Sequence, residues 1–511
     1  MQGQQSSDSA DLAQFGYKQE LHRTLGSFSS FAAGFSYISI LTGMFQLFYF
    51  GFAFGGPAFF WTWPLVFFGQ MMVCLCFAEL AGKYPIAGSV YNWSKQLSSG
   101  AVSWMAGWIM LTASIVTVAA VALAWQIILP QISSKFQIIG DGTGSTDFAK
   151  NAVLLGAILI VFTTIVNMIG VNLMAKINNV GVAAELIGAT LLVILLAVHI
   201  TRGPGVVLKT YGTGTGHDWG YAGAFLVAAL MSAYVMYGFD TAGSLGEETN
   251  NPRKYAPRSL VRALSAAGIL GALLILVGLM AVGNPHDPAM SVSGLPFIVK
   301  DVLGNTLGDI FLWDVVLAIT VCCLAVHTAT IRIAFAMARD NNLPFGSAIA
   351  RVHGSSRTPI VPAIVVGVLA IVILVININQ PQIFTVITSI GIIMVYLAYL
   401  LVTVPMLQKR LSGEWQPSAE HFSLGQWGML VNVLAVVYGA GMAFNLAWPR
   451  KDIYNFVAPF HWYLQYGAYL YIGIIAGAGG LYYYFVQRHK TGILPEHAAE
   501  PALSAPAHGG P

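Results

Sequence analysis

Among the ionisable residues inside long apolar runs, three carry the most suggestive chemistry: Glu185 in VGVAAELIGATLL, Asp240 in YVMYGFDTAGSL and His327 in CLAVHTATIR. A charge in such surroundings is costly without a partner, so each points to an ion or proton path, a substrate contact or a helix break that must be held. Glu185 carries the sharpest chemistry. A carboxyl cut off from water is one that can take up and release a proton near neutrality. It can equally bind Na⁺ or pair with a cationic substrate, and the plain alternative is a helix–helix hydrogen bond. Asp240 follows Gly238 and precedes a burst of charge, GEETNNPRKYAP. It is either a functional group held within the span or an acid that caps or anchors a break in its helix. His327 belongs to the one side-chain class whose ordinary titration falls near physiological pH. Thr328 and Thr330 beside it offer hydroxyls to an ion. A hydrogen-bonded core histidine with back-bonded threonines is the plain alternative.

The elements that would position these residues follow from composition. The chain has 511 residues, 56% of them hydrophobic and 9% charged, against roughly 25% charged in soluble domains. Such a chain needs a non-aqueous solvent around much of its surface. The net charge of +3 gives no reason to expect nucleic acid as a partner. Cys74, Cys76, Cys322 and Cys323 all lie in apolar runs and read as buried free thiols, without metal-ligand spacing. The histidines are scattered, with no paired cluster of the kind a membrane-embedded hydrolase would use. No Gly-rich phosphate loop speaks for an ATP-driven pump, and no charged or carbonyl-ring filter for a channel. An enzyme and a bound cofactor or metal are therefore not expected.

A membrane-crossing helix takes about 20 mostly apolar residues, and twelve such segments fit between residues 28 and 487. Their connections are short, so the expected architecture is all-α: one helical bundle in a lipid bilayer. With the N-terminus inside, seventeen of the 24 Lys and Arg fall at or toward the cytoplasm, which favours both termini there. Residues 1–27 form a polar N-terminal segment without a cleavable signal pattern. Residues 488–511, rich in Ala, Pro, Gly and His at their end, read as a disordered tail. Segments 1 and 6 are both interrupted by glycine and stand five segments apart. The stretches 28–200 and 222–407 have similar lengths, and five crossings would make the second enter with opposite polarity. Glycine-broken segments at matching places in two halves point to an inverted-repeat transporter and to its binding site.

Four stretches carry a resemblance. GFDTAGSLGEETNNPRKYAPRSL (238–260) resembles the segment-6 end and following loop of the amino acid–polyamine–organocation (APC) superfamily: a small turn, an acid, then E-E-x-x-N-P-x-x-x-x-P-R. FAELAGKYPIAGSVYNW (77–93) looks like the superfamily's loop after segment 2, with Glu79, Pro85, Gly88 and Tyr91 in place. LTGMF (41–45) is similar to its unwound turn in segment 1, and IRIAFAMARDNNLP (331–344) to its segment-8 end. FGGP, ILTG and GFD look closest to the amino acid/choline branch.

The resemblance implies a leucine-transporter-type fold: 12 transmembrane helices in a 5+5 inverted repeat, with discontinuous helices 1 and 6 and two accessory helices at 425–487. It also implies that unwound backbone grips a zwitterion. Amide groups around Leu41, Thr42 and Gly43, at a half-helix's positive end, suit a carboxylate. Carbonyls around Tyr237, Gly238 and Phe239 suit an ammonium group. Tyr234 aligns where an arginine-exchanging member places a tryptophan, and an aromatic face attracts a cation by about 0.5–2 kcal/mol. Asp240 aligns with an acid tied to proton sensing or gating in some members. At Glu185 some proton-coupled members carry a lysine, so this chain departs from that coupling scheme. Glu79 with Arg253, Lys254 and Arg339 is the expected cytoplasmic ion-pair gate, and Arg332 is expected to reach a loop or an acid. The implied activity is secondary active import of an amino acid or related amine across the plasma membrane by alternating access, with H⁺ as coupling ion and Na⁺ left open. The alternative is a uniporter or exchanger for choline-like or polyamine cations.

Overall fold

A computed structural model describes residues 12–499, apart from 355, 380–382, 418–419 and 455–459. Its described residues form helices, with isolated β-bridges at Tyr17–Ala498 and Leu25–Thr249 in place of any sheet. In chain order these helices are α1 (Ser27–Ile38), α2 (Ile40–Gly55), α3 (Thr62–Lys83), α4 (Ser89–Leu97), α5 (Gly100–Ala122), α6 (Ala124–Ile132), α7 (Asp147–Ile169) and α8 (Val171–Val198). There follow α9 (Tyr221–Val235), α10 (Thr241–Ser244), α11 (Pro252–Ala281), α12 (Leu295–Arg339), α13 (Gly346–Ile349), α14 (Ile360–Ile376) and α15 (Ile383–Leu411). The chain ends with α16 (Gly428–Ala447), α17 (Lys451–Tyr454), α18 (Trp462–Gln465) and α19 (Gly467–Phe485).

Nine stretches among the described residues are long and apolar enough to cross a membrane. One of them, Ser27–Lys83, contains α1, α2 and α3; α9 and α14 are apolar but shorter. The lipid-facing surface explains the composition. Phe162 on α7, Ile187 and Ile194 on α8, Val368 on α14 and Phe485 on α19 are all exposed. In water a continuous apolar surface of this kind would drive association; against acyl chains it is matched to its solvent. A helix that is apolar on all sides belongs to that setting.

Helices α1, α2, α9 and α12 form the centre. α2 packs on α9, α1 on α10, and α12 lies against α1, α2 and α8. Small residues let these backbones approach closely. A Cβ at Gly43 would lie 2.5 Å from Val235, and one at Gly181 on α8 would lie 2.2 Å from Val321 on α12.

One face of the bundle is tied shut by polar contacts. After α10 come two consecutive acids, and each meets an arginine of α12. Arg332 grips Glu248 with two bonds of 2.9 and 2.6 Å, and Arg339 grips Glu247 with two of 3.0 and 2.8 Å. All four side chains are buried. The described ends of the chain meet on the same face. Lys18 N donates to His497 O, Ala499 N to Gly16 O, and Leu494 N to Arg339 O. Tyr17 donates to Asp340 and lies 3.8 Å beneath the Arg339 guanidinium. The expectation of a disordered tail from residue 488 onward therefore fails for 488–499. Those residues gain backbone partners on residues 16–18 and 339–340, and His497 bonds Glu20 at 2.5 Å. The remainder of that stretch, 500–511, and residues 1–11 lie outside the described residues.

The α8–α12 contact supplies a stability test. Gly181→Ala should overpack it and cost about 1–3 kcal/mol. Adding Val321→Ala should recover part of the loss, as read by thermal unfolding in detergent.

Candidate functional site

Two chain segments lose their helical bonding in mid-bundle. The first break is a single residue, Ser39, at φ 36° and ψ 94°, between α1 and α2. Serine suits the start of a helix because its oxygen can accept from a free amide. Here Ser39 Oγ accepts from Thr42 N at 3.4 Å and lies 2.6 Å from the Thr42 hydroxyl. The sequence pattern puts the unwound turn at Leu41, Thr42 and Gly43. The structure corrects this toward the N-terminus: those three belong to the first turn of α2, and Gly43 N already donates to Ser39 O.

The second break runs from Met236 to Asp240, between α9 and α10. It contains Tyr237, Gly238 and Phe239, where the sequence placed it. Gly238 adopts φ +86°, which other residues rarely take, and a Cβ there would fall 1.8 Å from the Tyr37 ring. The break is held by side chains. Gly238 N donates to Tyr399 Oη (3.0 Å), and Tyr399 donates to Asp240 Oδ1 (2.5 Å). Ser89 donates to Asp240 Oδ2 (2.7 Å), and Thr241 donates to Gly238 O (2.8 Å). Asp240 thus anchors the unwound segment to α4 and α15.

Glu185 joins the first break from α8. Its Oε1 accepts from Ser39 Oγ at 2.9 Å and from Leu41 N at 3.1 Å. A carboxylate at the first turn of α2 complements the positive end of that helix. Its Oε2 is buried and makes no hydrogen bond among the described residues.

Between the breaks lies a narrow hollow of about 10 Å³, room for roughly one water, lined by Tyr37, Thr42, Gly43, Gln46, Thr117, Tyr234, Tyr237 and Cys322 among others. The rings of Tyr37 and Tyr234 each meet Tyr237 edge-on, at 5.8 and 6.0 Å. The hydroxyls of Tyr37 and Tyr234 and Oε1 of Gln46 are buried and make no hydrogen bond among the described residues. Buried polar atoms usually have partners, and these three are polar groups that line the hollow.

The sequence decides which guest-binding class this is. Residues 25–476 match the profile of the family described as amino acid permease. The chain belongs to the amino acid permease family. It is thus a multi-pass integral membrane transporter rather than an enzyme. It is similar to the amino-acid permease BAT1 of Arabidopsis thaliana, at 28% identity over 448 residues, covering 84% of this chain and 86% of the plant protein. Two proteins of Bacillus subtilis are also similar. One is the methylthioribose transporter (29% identity; 69% of this chain, 74% of the relative). The other is the branched-chain amino acid permease BcaP (26% identity; 67% and 72%).

The other residues singled out in the permease sequence fall elsewhere. His327 faces away from the breaks: its Nδ1 lies 3.0 Å from Thr163 Oγ1 on α7 and its Nε2 3.1 Å from Ala363 O on α14. Thr328 donates to Asn167 on α7. These two tie helices together. The grouping of Glu79 with Arg253, Lys254 and Arg339 does not form as one ion-pair cluster. Glu79 pairs with Arg410 of α15, and Arg339 takes Glu247. Arg253 donates to the carbonyls of Gly82 and Lys83, and Lys254 lies 5.6 Å over the Tyr255 ring. Sequence reasoning missed Ser39, Ser89, Tyr399 and Gln46, which carry no local signal, and the partner role of Glu247 and Glu248, whose E-E pattern was visible.

Removing the Tyr399 hydroxyl should expose the cost of the second break. Tyr399→Phe in the permease leaves Gly238 N and Asp240 Oδ1 each short of a partner, a loss of about 1–3 kcal/mol. Thermal unfolding in detergent checks this. The aromatic ring is retained in the variant, so the change reads the hydroxyl and not the packing.

Proposed function

We propose that this permease is a secondary active transporter that imports an amino acid by alternating access, driven by protons. The single observation that carries the reading is the pair of helix breaks, at Ser39 and at Met236–Asp240, that flank a narrow hollow lined by unpartnered polar atoms. Backbone freed at such breaks survives in a membrane only where it faces protein or a cavity. The relatives named as amino-acid permeases supply the substrate class; the one named for methylthioribose marks how far side-chain lining can shift it.

In this reading the twelve membrane passages are the nine long stretches, with Ser27–Lys83 counted twice, plus α9 and α14. Residues 28–200 and 222–407 form the two five-helix halves of a leucine-transporter-type inverted repeat, and 425–487 supply two accessory helices. Both chain ends face the cytoplasm, and the membrane is the cell's plasma membrane. The substrate carboxylate meets the first turn of α2 at Thr42 and Gly43, drawn by that helix's positive end. Its ammonium group meets the carbonyls of Tyr237 and Phe239 and the face of Tyr234. Asp240 keeps the second break open by holding its backbone. The paired Arg332–Glu248 and Arg339–Glu247 contacts close the cytoplasmic side, with Glu79 and Arg410 as a separate clamp.

Glu185 is the coupling group. Charged, it holds Ser39 and Leu41 and so fixes the angle between α1 and α2. Protonated, it is a weaker acceptor, because bonds to an ionised oxygen are roughly twice as strong as neutral ones. Loading a proton therefore loosens the first break, which is the movement alternating access requires.

Reconstituted liposomes should accumulate a labelled amino acid when the outside is made acidic, and a sodium gradient alone should not drive it. Glu185→Gln should still bind substrate but lose acceleration by the pH gradient. Uptake that keeps its full pH response in that variant would exclude Glu185 as carrier, and uptake driven by sodium alone would replace the proton.

A further inference from the structure

A second carboxyl lies next to Glu185 and has no role in the scheme above. Asp314 sits on α12, ten residues past the kink at Gly304, where the helix is broken by φ 76° and ψ 171°. Its carboxyl lies in a notch on α8. A Cβ at Gly188 would fall 1.8 Å from Asp314 Oδ2, so a larger residue there would displace the carboxyl from this position. Gly188 is three residues from Glu185, or about 4.5 Å along the helix and on nearly the same face. The charges of Asp314 and Glu185 are close enough to act on each other.

The two carboxyls differ in access. Glu185 is 1% exposed, whereas Asp314 is partly exposed. Each keeps one buried oxygen without a hydrogen bond among the described residues: Glu185 Oε2 and Asp314 Oδ2. Glu185 spends its other oxygen on Ser39 and Leu41. Of the titratable groups on α12, Cys322 also lies within electrostatic reach of Glu185. α1 and α2 bring no Asp, Glu, Lys, Arg or His to this contact. The charges of α11, namely Arg253, Lys254, Arg258 and Arg262, lie within its first three turns; those of α7, Asp147 and Lys150, lie in its first turn.

We propose that Asp314 is the outer half of a two-carboxyl relay that delivers the proton to Glu185, an inference resting on Glu185 as the coupling group. The partly exposed acid takes a proton from the side of the membrane on which α8 ends and α12 begins. It then passes it one helical turn inward. The step runs through an intervening water: an O–H bond breaks on Asp314 as one forms on the water, and the water gives up another of its protons to Glu185, so the pair carries a single negative charge before and after the step. The notch at Gly188 sets the direction of the Asp314 carboxyl. Asp314 is therefore a positioning and relay residue that touches no substrate.

The test uses the full chain in liposomes with a labelled amino acid, and measures two fluxes. One is uptake driven by a pH gradient; the other is exchange of labelled for unlabelled substrate at equal pH on both sides, which needs no net proton entry. Asp314→Asn should slow gradient-driven uptake about a hundredfold or more, the scale of losing a positioned proton-transfer group, and leave exchange unchanged. Asp314→Glu should restore part of the uptake. Gly188→Ala, which pushes the carboxyl out of its notch, should reproduce the Asp314→Asn defect and add nothing to it in the double variant. These variants also cover the case in which Asp314→Asn does not fold. Equal gradient-driven uptake in wild type and Asp314→Asn, with Glu185→Gln defective, would overturn the relay alone. A Glu185→Gln protein with normal gradient-driven uptake would overturn the reading on which the relay rests. Equal losses of both fluxes in Asp314→Asn and Gly188→Ala would assign the acid to packing and overturn the relay.

Discussion

A peptide group deprived of its helical partner in the middle of a bilayer must find another, because lipid offers none. That constraint organises the centre of this permease. At Ser39 the replacement partners are a serine hydroxyl and the Glu185 carboxyl; at Gly238 they are Tyr399 and Thr241, with Asp240 held in turn by Tyr399 and Ser89. Most of these partners come from other helices. The breaks are therefore joints whose geometry depends on α4, α8 and α15, and a displacement of any of these helices reaches the hollow between the breaks.

The polar face near the chain ends solves a different problem. Four charged groups are buried there in two bidentate pairs. Burying an ion pair is close to neutral in energy when every lone pair is answered, and expensive when one partner is lost. Glu247 Oε1 also accepts from Ala87 N, whereas Arg339 Nε is buried without a hydrogen bond among the described residues. Such pairs contribute little net stability but fix a register: Glu247 and Glu248 follow α10 closely, so the pairs lock the unwound segment to α12. A switch between two arrangements of the bundle would have to break them together.

The second break was legible in the sequence, and the first was displaced. Gly238 followed by an acid within an apolar run marks a place where helix cannot continue, and the structure unwinds there. The first break rests on a serine, and serine is common within membrane helices, so the glycine one turn further on drew the boundary to Leu41–Gly43. Glu185 stood out because a lone carboxyl in a span has few explanations, but its partners lie 144 and 146 positions away in the chain. A similar distance in sequence hid Tyr399 from Asp240, and a longer one sent Glu79 to Arg410 rather than to Arg253. His327 misled for the opposite reason: its titration range is suggestive, while its two hydrogen bonds to α7 and α14 are a packing matter. The tail has the composition of a flexible segment, and the partners of residues 488–499, main-chain groups together with side chains such as Glu20 and Asn342, lie far off in the chain, where composition does not reveal them.

The bridge between Tyr17 and Ala498 has a topological consequence. With residues 16–18 hydrogen-bonded to residues 497–499, the described stretch of the polypeptide returns almost to its own start. Ends that lie side by side can in general be covalently joined and the chain reopened in a surface loop without rebuilding the core. For this molecule the order in which the helices are threaded is thus partly separable from the way they are packed.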